Sequence, residues 1–205
     1  MLLQVEDSLK WIAIMNDKIQ KNKELLTELD QAIGDGDHGI NMARGFNEVA
    51  NKLGTSNYET VSDVFKDVAM TLISKIGGAS GPLYGTAFLK MSTEVKDKDV
   101  DFVTFTNALD EALKGIKMRG KANEGEKTMV DVWAPVLYLF QNSIELKPER
   151  LISTAKLSME ATKDIKATRG RASYLGDRSL GHIDPGSMSS YYLFEALAEV
   201  FLEGE

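Results

Sequence analysis

The sequence predicts an all-α protein, and three observations predict it. Apolar residues recur at three- and four-residue steps through almost the whole chain. No stretch alternates with period two, so no strand is expected. The four prolines fall in breaks between the periodic stretches or at one interior kink.

The elements follow in chain order. Val5, Leu9, Ile12, Met15 and Ile19 line one face of a first helix. Met42, Phe46, Val49 and Leu53 form a second stripe after a Gly/Asp-rich break. Val61, Val64, Phe65, Val68, Leu72 and Ile76 form a third, which stops at Gly77-Gly78. Pro82 suits the start of the next helix, where its fixed φ and missing N–H are tolerated. Phe105, Leu109, Ala112, Leu113 and Ile116 make a further stripe. Residues 130–140 are apolar on most sides and read as a buried helix kinked at Pro135. A helix over 148–165 carries Leu151, Ile152, Ala155, Leu157 and Met159, and the last spans about 186–202. The total is about eight helices, most simply packed antiparallel in one domain over residues 1–205.

Composition removes several function classes. The 205 residues hold 24 basic and 31 acidic side chains, a net charge of −7. That balance excludes a general nucleic-acid backbone binder, which needs a basic face. It leaves room for a small anion if a metal reverses the local field. The chain has no cysteine, so disulfides, zinc–thiolate sites and thiol catalysis are excluded. His38 and His182 are too few for a histidine-rich metal site. The first residues lack the basic start and apolar run of a signal peptide, and no run is long enough for a membrane span. A cytoplasmic protein with neither membrane nor nucleic acid as partner is expected.

The chemistry lies in the glycine-rich breaks, at 33–39, 77–82 and 169–186, with a weaker one at 120–128. Up-and-down packing brings alternate connections to one end, where these breaks can converge. Asp30, Asp35 and Asp37 crowd three carboxylates into a short stretch, and a hard divalent cation would relieve their repulsion. A solvated acidic turn with Asp37 or Asn41 as helix cap is the alternative. An EF-hand does not fit, because Ile40 and Phe46 stand where glycine and glutamate are required. Residues 34–39 match G-x-G-x-x-G, but no strand precedes them. Glu126 likewise spoils a P-loop at Gly125, Lys127 and Thr128. The 77–82 break leads into a helix, a ready anion site with the Ser80 hydroxyl as an extra donor; a plain turn is the alternative. Arg169, Arg171 and Arg178 can clamp phosphate from a mobile lid or simply form a solvated basic loop. His38, beside two aspartates, is a better site candidate than His182. Carboxylates for metal, a glycine-rich anion loop and an arginine lid together suggest phosphoryl transfer.

Residues 34–42, 77–84, and 169–172 through 184–187 closely resemble the nucleotide-binding subunit family of dihydroxyacetone kinases, the DhaL type. The resemblance covers essentially the whole chain. It implies a barrel of eight antiparallel amphipathic helices with the nucleotide at one rim. Asp30, Asp35 and Asp37 would hold two Mg²⁺ ions. His38 and Asn41 would line the phosphate and nucleotide site, and Ala79 and Ser80 would add phosphate contacts. Gly120 and Met129 would border the adenine. Arg178, with Asp184 and Gly186 nearby, would belong to the lid, and Arg178 would stabilise the transferring group. The implied cofactor is ADP, converted to ATP when phosphorylated in place. The implied partners are a dihydroxyacetone-binding kinase subunit of the DhaK type and a phosphotransferase-system donor of the DhaM type. Chain length suits the free-standing kind of family member, which holds ADP as a coenzyme. The rivals are an ATP-dependent kinase subunit for a related ketose or polyol, a nucleotide-loaded regulatory module, and a helical scaffold with a Ca²⁺ or Mg²⁺ site. The three aspartates and Arg178 favour catalysis.

Overall fold

A computed structural model describes residues 2–202. It contains α1 (Val5–Lys21), α2 (Lys23–Ile33), α3 (His38–Gly54), α4 (Val61–Lys75), α5 (Ser80–Val95), α6 (Phe102–Gly120), α7 (Val130–Gln141), α8 (Pro148–Ala161) and α9 (Pro185–Leu202). Short 3₁₀ turns cover Thr162–Asp164 and Arg171–Ser179. The faces read from the sequence are the buried ones: Trp11, Ile12, Met15 and Ile19 in α1, and Val61, Val64, Phe65, Val68 and Leu72 in α4. Among the described residues there is no strand, only an isolated bridge between Leu2 and Asp101. None of their helices is long and apolar enough to cross a membrane.

Local chemistry sets the helix ends. Thr60 Oγ1 accepts from the Asp63 N–H at 3.1 Å to open α4, and Asp101 accepts from the Thr104 N–H at 2.8 Å to open α6. Pro148 occupies the first turn of α8. The helix expected over 148–165 ends earlier, at Ala161. There the Thr162 hydroxyl turns back to donate to the Met159 carbonyl at 2.7 Å, and the chain tightens into a 3₁₀ turn. The helix after Gly77-Gly78 starts at Ser80, ahead of Pro82, and α7 runs through Pro135.

Eight helices close a ring. α1 packs on α3, each helix from α3 to α9 packs on the next, and α9 returns to α1. The ninth, α2, has no stripe of its own in the sequence reading; it packs on α3, α9 and the second 3₁₀ turn. The ring interior is filled with aromatic side chains drawn from opposite walls. Trp11 meets Phe65, Phe88 and Phe105 at centroid distances of 5.9, 5.8 and 6.0 Å. Its indole N–H donates to the Leu193 carbonyl at 2.8 Å, so the polar end of the buried ring is satisfied. This packed interior leaves the loops at one rim to build the site.

Candidate functional site

The rim carries a cleft with about 190 Å³ of free space. It is walled by the end of α2, the starts of α3 and α5, residues 127–129, the arginine segment 169–172 and residues 184–186. A larger groove of about 760 Å³ lies between α6, α7 and α8 and contains none of the candidate residues.

Asp30 organises the acidic wall. It is buried in the last turn of α2, and its Oδ2 accepts from the backbone N–H groups of Asp37 at 2.9 Å and His38 at 3.0 Å. One carboxylate thus ties α2 to the start of α3. The turn between them requires glycine at Gly34, where a Cβ would lie 2.0 Å from Asp30 Oδ1. Carboxylate oxygens of Asp30, Asp35 and Asp37 converge to within 4.8 Å of one another. Arg171 reaches across from the opposite wall and pairs with Asp35 at 2.8 Å. A donor set made only of carboxylate oxygens, part buried and part open to the cleft, fits a hard divalent cation such as Mg²⁺.

Facing this wall is the glycine-rich loop. Gly78 has φ +66°, a left-handed conformation, and packs beside the Asp37 carboxylate. The loop delivers Ser80 to the start of α5, where backbone N–H groups lack helical partners. Ser80 Oγ lies 3.0 Å from His38 Nδ1, and His38 Nε2 lies 3.0 Å from Ser189 Oγ. The chain continues inward. Tyr84 Oη contacts Ser189 Oγ at 2.8 Å and Ser190 Oγ at 2.9 Å, and the Trp133 indole donates to Ser190 at 3.1 Å. Burial pushes His38 down to about 4, so the ring is neutral at pH 7. With Ser189 donating to the Gly186 carbonyl at 3.1 Å, Nε2 carries the proton and Nδ1 accepts from Ser80. In that arrangement the Ser80 proton is committed to His38, and the N–H groups of α5 are the donors left for an anion. A buried chain of polar side chains therefore links the loop to the core.

The third wall holds the half-buried Asp184 and the buried Lys127, with the buried Asp131 behind them. Asp184 accepts from the Ser187 N–H at 2.7 Å and so caps α9. Burial pushes its carboxyl up to about 7. Asp131 also lies above the usual carboxylate range because of burial, although it accepts from the N–H groups of Gly125 and Thr128 at 2.5 and 2.7 Å. Between them Lys127 is buried, with its ammonium on backbone carbonyls and its pKa lowered by desolvation. The sequence shows Lys127 only as part of a failed P-loop; its burial follows from no local pattern.

Of the candidate residues, Asp30, Asp35, Asp37, His38, Ala79, Ser80, Met129, Asp184 and Gly186 line the cleft. Asn41, Gly120 and Arg178 do not. Asn41 sits under the glycine loop and accepts from Arg44 at 2.9 Å. Gly120 abuts Leu83, which does line the cleft. Arg178 is exposed at the far end of its 3₁₀ turn, whereas Arg169 and Arg171 face the cleft.

The fold and site together define a class: a helical ring whose rim opposes a carboxylate triad to a helix start and an arginine-bearing segment, suited to a metal-bound anion. The DAK2 domain family model matches residues 32–199. The ADP-binding subunit DhaL of a PTS-dependent dihydroxyacetone kinase from Lactococcus lactis is 50% identical over 200 residues, covering 97% of this chain and 99% of its own. The corresponding subunit of PEP-dependent dihydroxyacetone kinase 1 from Listeria innocua is 48% identical over 192 residues, 94% of each chain. The crystal structure of the dihydroxyacetone kinase from C. freundii in complex with AMP-PNP and Mg²⁺ superposes with a TM-score of 0.76 at 25% identity. That match covers 93% of this chain and 33% of the kinase. The chain belongs to the DAK2 domain family.

Proposed function

We propose that this chain is the ADP-binding subunit of a phosphoenolpyruvate-dependent dihydroxyacetone kinase, and so part of a phosphotransferase. ADP is its tightly held coenzyme. A phosphotransferase-system protein of the DhaM type phosphorylates it in place. The phosphoryl group then passes to dihydroxyacetone on a DhaK-type partner subunit. The observation that carries this reading is the convergence of Asp30, Asp35 and Asp37 to within 4.8 Å, opposite the α5 start and beneath the arginine segment.

Asp30, Asp35 and Asp37 would hold Mg²⁺, which supplies charge neutralisation and orientation of phosphate oxygens when bound. Ala79 and Ser80, at the α5 N-terminus, bind phosphate through backbone N–H groups and the helix dipole. His38 orients Ser80, and Asn41 supports the loop from below. Met129, Leu83 and the adjacent Gly120 form the apolar border for the base. Asp184 and Gly186 close the third wall. Arg178 is assigned to the transferring group and reaches it by movement of its segment; Arg169 and Arg171 are already at the cleft. No nucleophile is needed from this chain, because the attacking hydroxyl belongs to the substrate. The reading treats residues 1–205 as one cytoplasmic domain, of which Met1 and 203–205 lie outside the described residues.

The test is to purify the protein without added nucleotide, dialyse it in Mg²⁺, denature it and identify what is released. One equivalent of ADP is expected. Empty protein that binds ATP reversibly would replace this reading with an exchanging ATP-dependent kinase subunit. Empty protein indifferent to both nucleotides would overturn it.

A further inference from the structure

We propose that Lys127 is a positioning residue that anchors the arginine-bearing flap, residues 162–182, to the floor of the cleft. An ammonium group has three donors. Lys127 Nζ places all of them on backbone carbonyls: Thr162 at 2.6 Å, Ile165 at 3.2 Å, and His182. Two of these carbonyls lie at the beginning of the flap and the third at its end. One side chain thus closes the flap at its base. The side chain is only 1% exposed, and its loss would strand the buried Thr162 carbonyl and release the two part-buried carbonyls of Ile165 and His182.

The surroundings are built to hold that ammonium in place. Lys127 itself has φ +63°, a left-handed conformation uncommon for a lysine. Asp131 keeps the backbone there, gripping the N–H groups on either side, Gly125 and Thr128. The flap base carries further ties, from Gly181 N–H to the Lys163 carbonyl at 2.8 Å and from Asp184 N–H to Thr162 Oγ1 at 3.1 Å. The flap tip is different. Gly170 and Gly176 take positive φ, and Tyr174 is 88% exposed. The pinned base fixes the root of the segment that carries Arg169, Arg171 and Arg178, whose tip rests on α2 only through the exposed Arg171–Asp35 pair and the packing of Ala172 and Leu175 on Ile33. Lys127 lines the cleft, but with every donor engaged it has none for a phosphate. It is therefore not a counterpart of a P-loop lysine; it acts through the flap.

The functional part of this inference rests on the cleft being the nucleotide site, and the experiment separates the two. In the unmodified chain, amide hydrogen exchange should protect the flap base, at 163–165 and 181–184, far more than the tip at 170–176. Equal exchange at base and tip would overturn the anchor without any variant. Lys127→Met should raise exchange across the base while α4 and α5 are unchanged. It should also speed dissociation of a fluorescent ADP analogue about tenfold or more, the effect of losing one charge-assisted bond. The chain has no cysteine. Lys127→Cys can therefore be aminoethylated selectively in denaturant and refolded, which rebuilds the ammonium on a near-isosteric arm. Recovery of flap protection and of slow ADP release by the aminoethylated protein, but not by the unmodified variant, is the expected result. Unchanged dissociation in a Lys127→Met variant with a loosened base would overturn the positioning role. Failure of the chain, stripped of nucleotide in denaturant and refolded, to bind the analogue would instead overturn the reading of the cleft, with the exchange pattern still deciding the anchor.

Discussion

Two members of the carboxylate triad should behave differently when truncated, and the difference can be worked out from their partners. Asp30→Ala removes the acceptor for the N–H groups of Asp37 and His38, both within 3.0 Å and the latter buried. Orphaning such donors costs about 1–3 kcal/mol each, or roughly 2–6 kcal/mol together. In a chain of this size that lowers the melting temperature by about 4–24 °C. Asp35→Ala removes a partly exposed pair with Arg171, worth less than about 1 kcal/mol. Relief of carboxylate repulsion helps both variants, so the comparison isolates the backbone bonds. Metal-free protein should be unfolded by heat and by urea, and Mg²⁺ binding measured by calorimetry. Both variants should lose metal affinity, and only Asp30→Ala should lose substantial stability. Equal melting temperatures would show that Asp30 does not hold α2 to α3.

Three further expectations follow from the cleft and its arginine segment. The carboxyl of Asp184 sits near 7 in the folded chain, above the value near 4 of an unfolded aspartate. Its contribution is therefore greatest at low pH and is lost as pH rises through that window, because the unfolded chain ionises first. Asp184→Asn keeps an acceptor for the Ser187 N–H and removes this slope. Its stability relative to the parent should rise between pH 4 and pH 7 and then level, and a gap independent of pH in urea titrations would refute the assignment. Arg171 competes with a cation for Asp35, so Arg171→Ala should tighten Mg²⁺ binding in nucleotide-free protein by up to about fivefold, the equivalent of one exposed ion pair. Arg178→Ala, away from the triad, should leave that affinity unchanged but slow phosphoryl transfer in an assay with both partner proteins. A loss of metal affinity in the second variant, or unchanged transfer, would remove Arg178 from the role assigned to it.

Much of this molecule is legible in one dimension, because the interactions involved repeat or are local. Helical periodicity is a local property of which side chains must share a face. The stripes headed by Val5, Met42 and Val61 therefore correspond to α1, α3 and α4 with little displacement. The crowding of Asp30, Asp35 and Asp37 is also local, since a few residues and two glycines suffice to bring the carboxylates together. The helix α2 has no boundary visible in sequence, because Asn22 is a single-residue break between two helices, with neither glycine nor proline to mark it.

Tertiary structure decided the rest, wherever a group's role depends on what the chain brings to it from far away. In sequence His38 is a candidate site residue beside two aspartates. Its buried contacts with Ser80 and Ser189 come from 42 and 151 residues away and make it a neutral link between loop and core. Which arginine faces the triad depends on the path of the 3₁₀ turn through Gly176, and that path presents Arg171 and leaves Arg178 outside. Lys127 is the clearest case. Its three partners are backbone carbonyls, which carry no residue-specific signal, and they lie 35, 38 and 55 residues away. Periodicity and local charge are written along the chain, whereas the satisfaction of a buried polar group is settled only when distant segments meet.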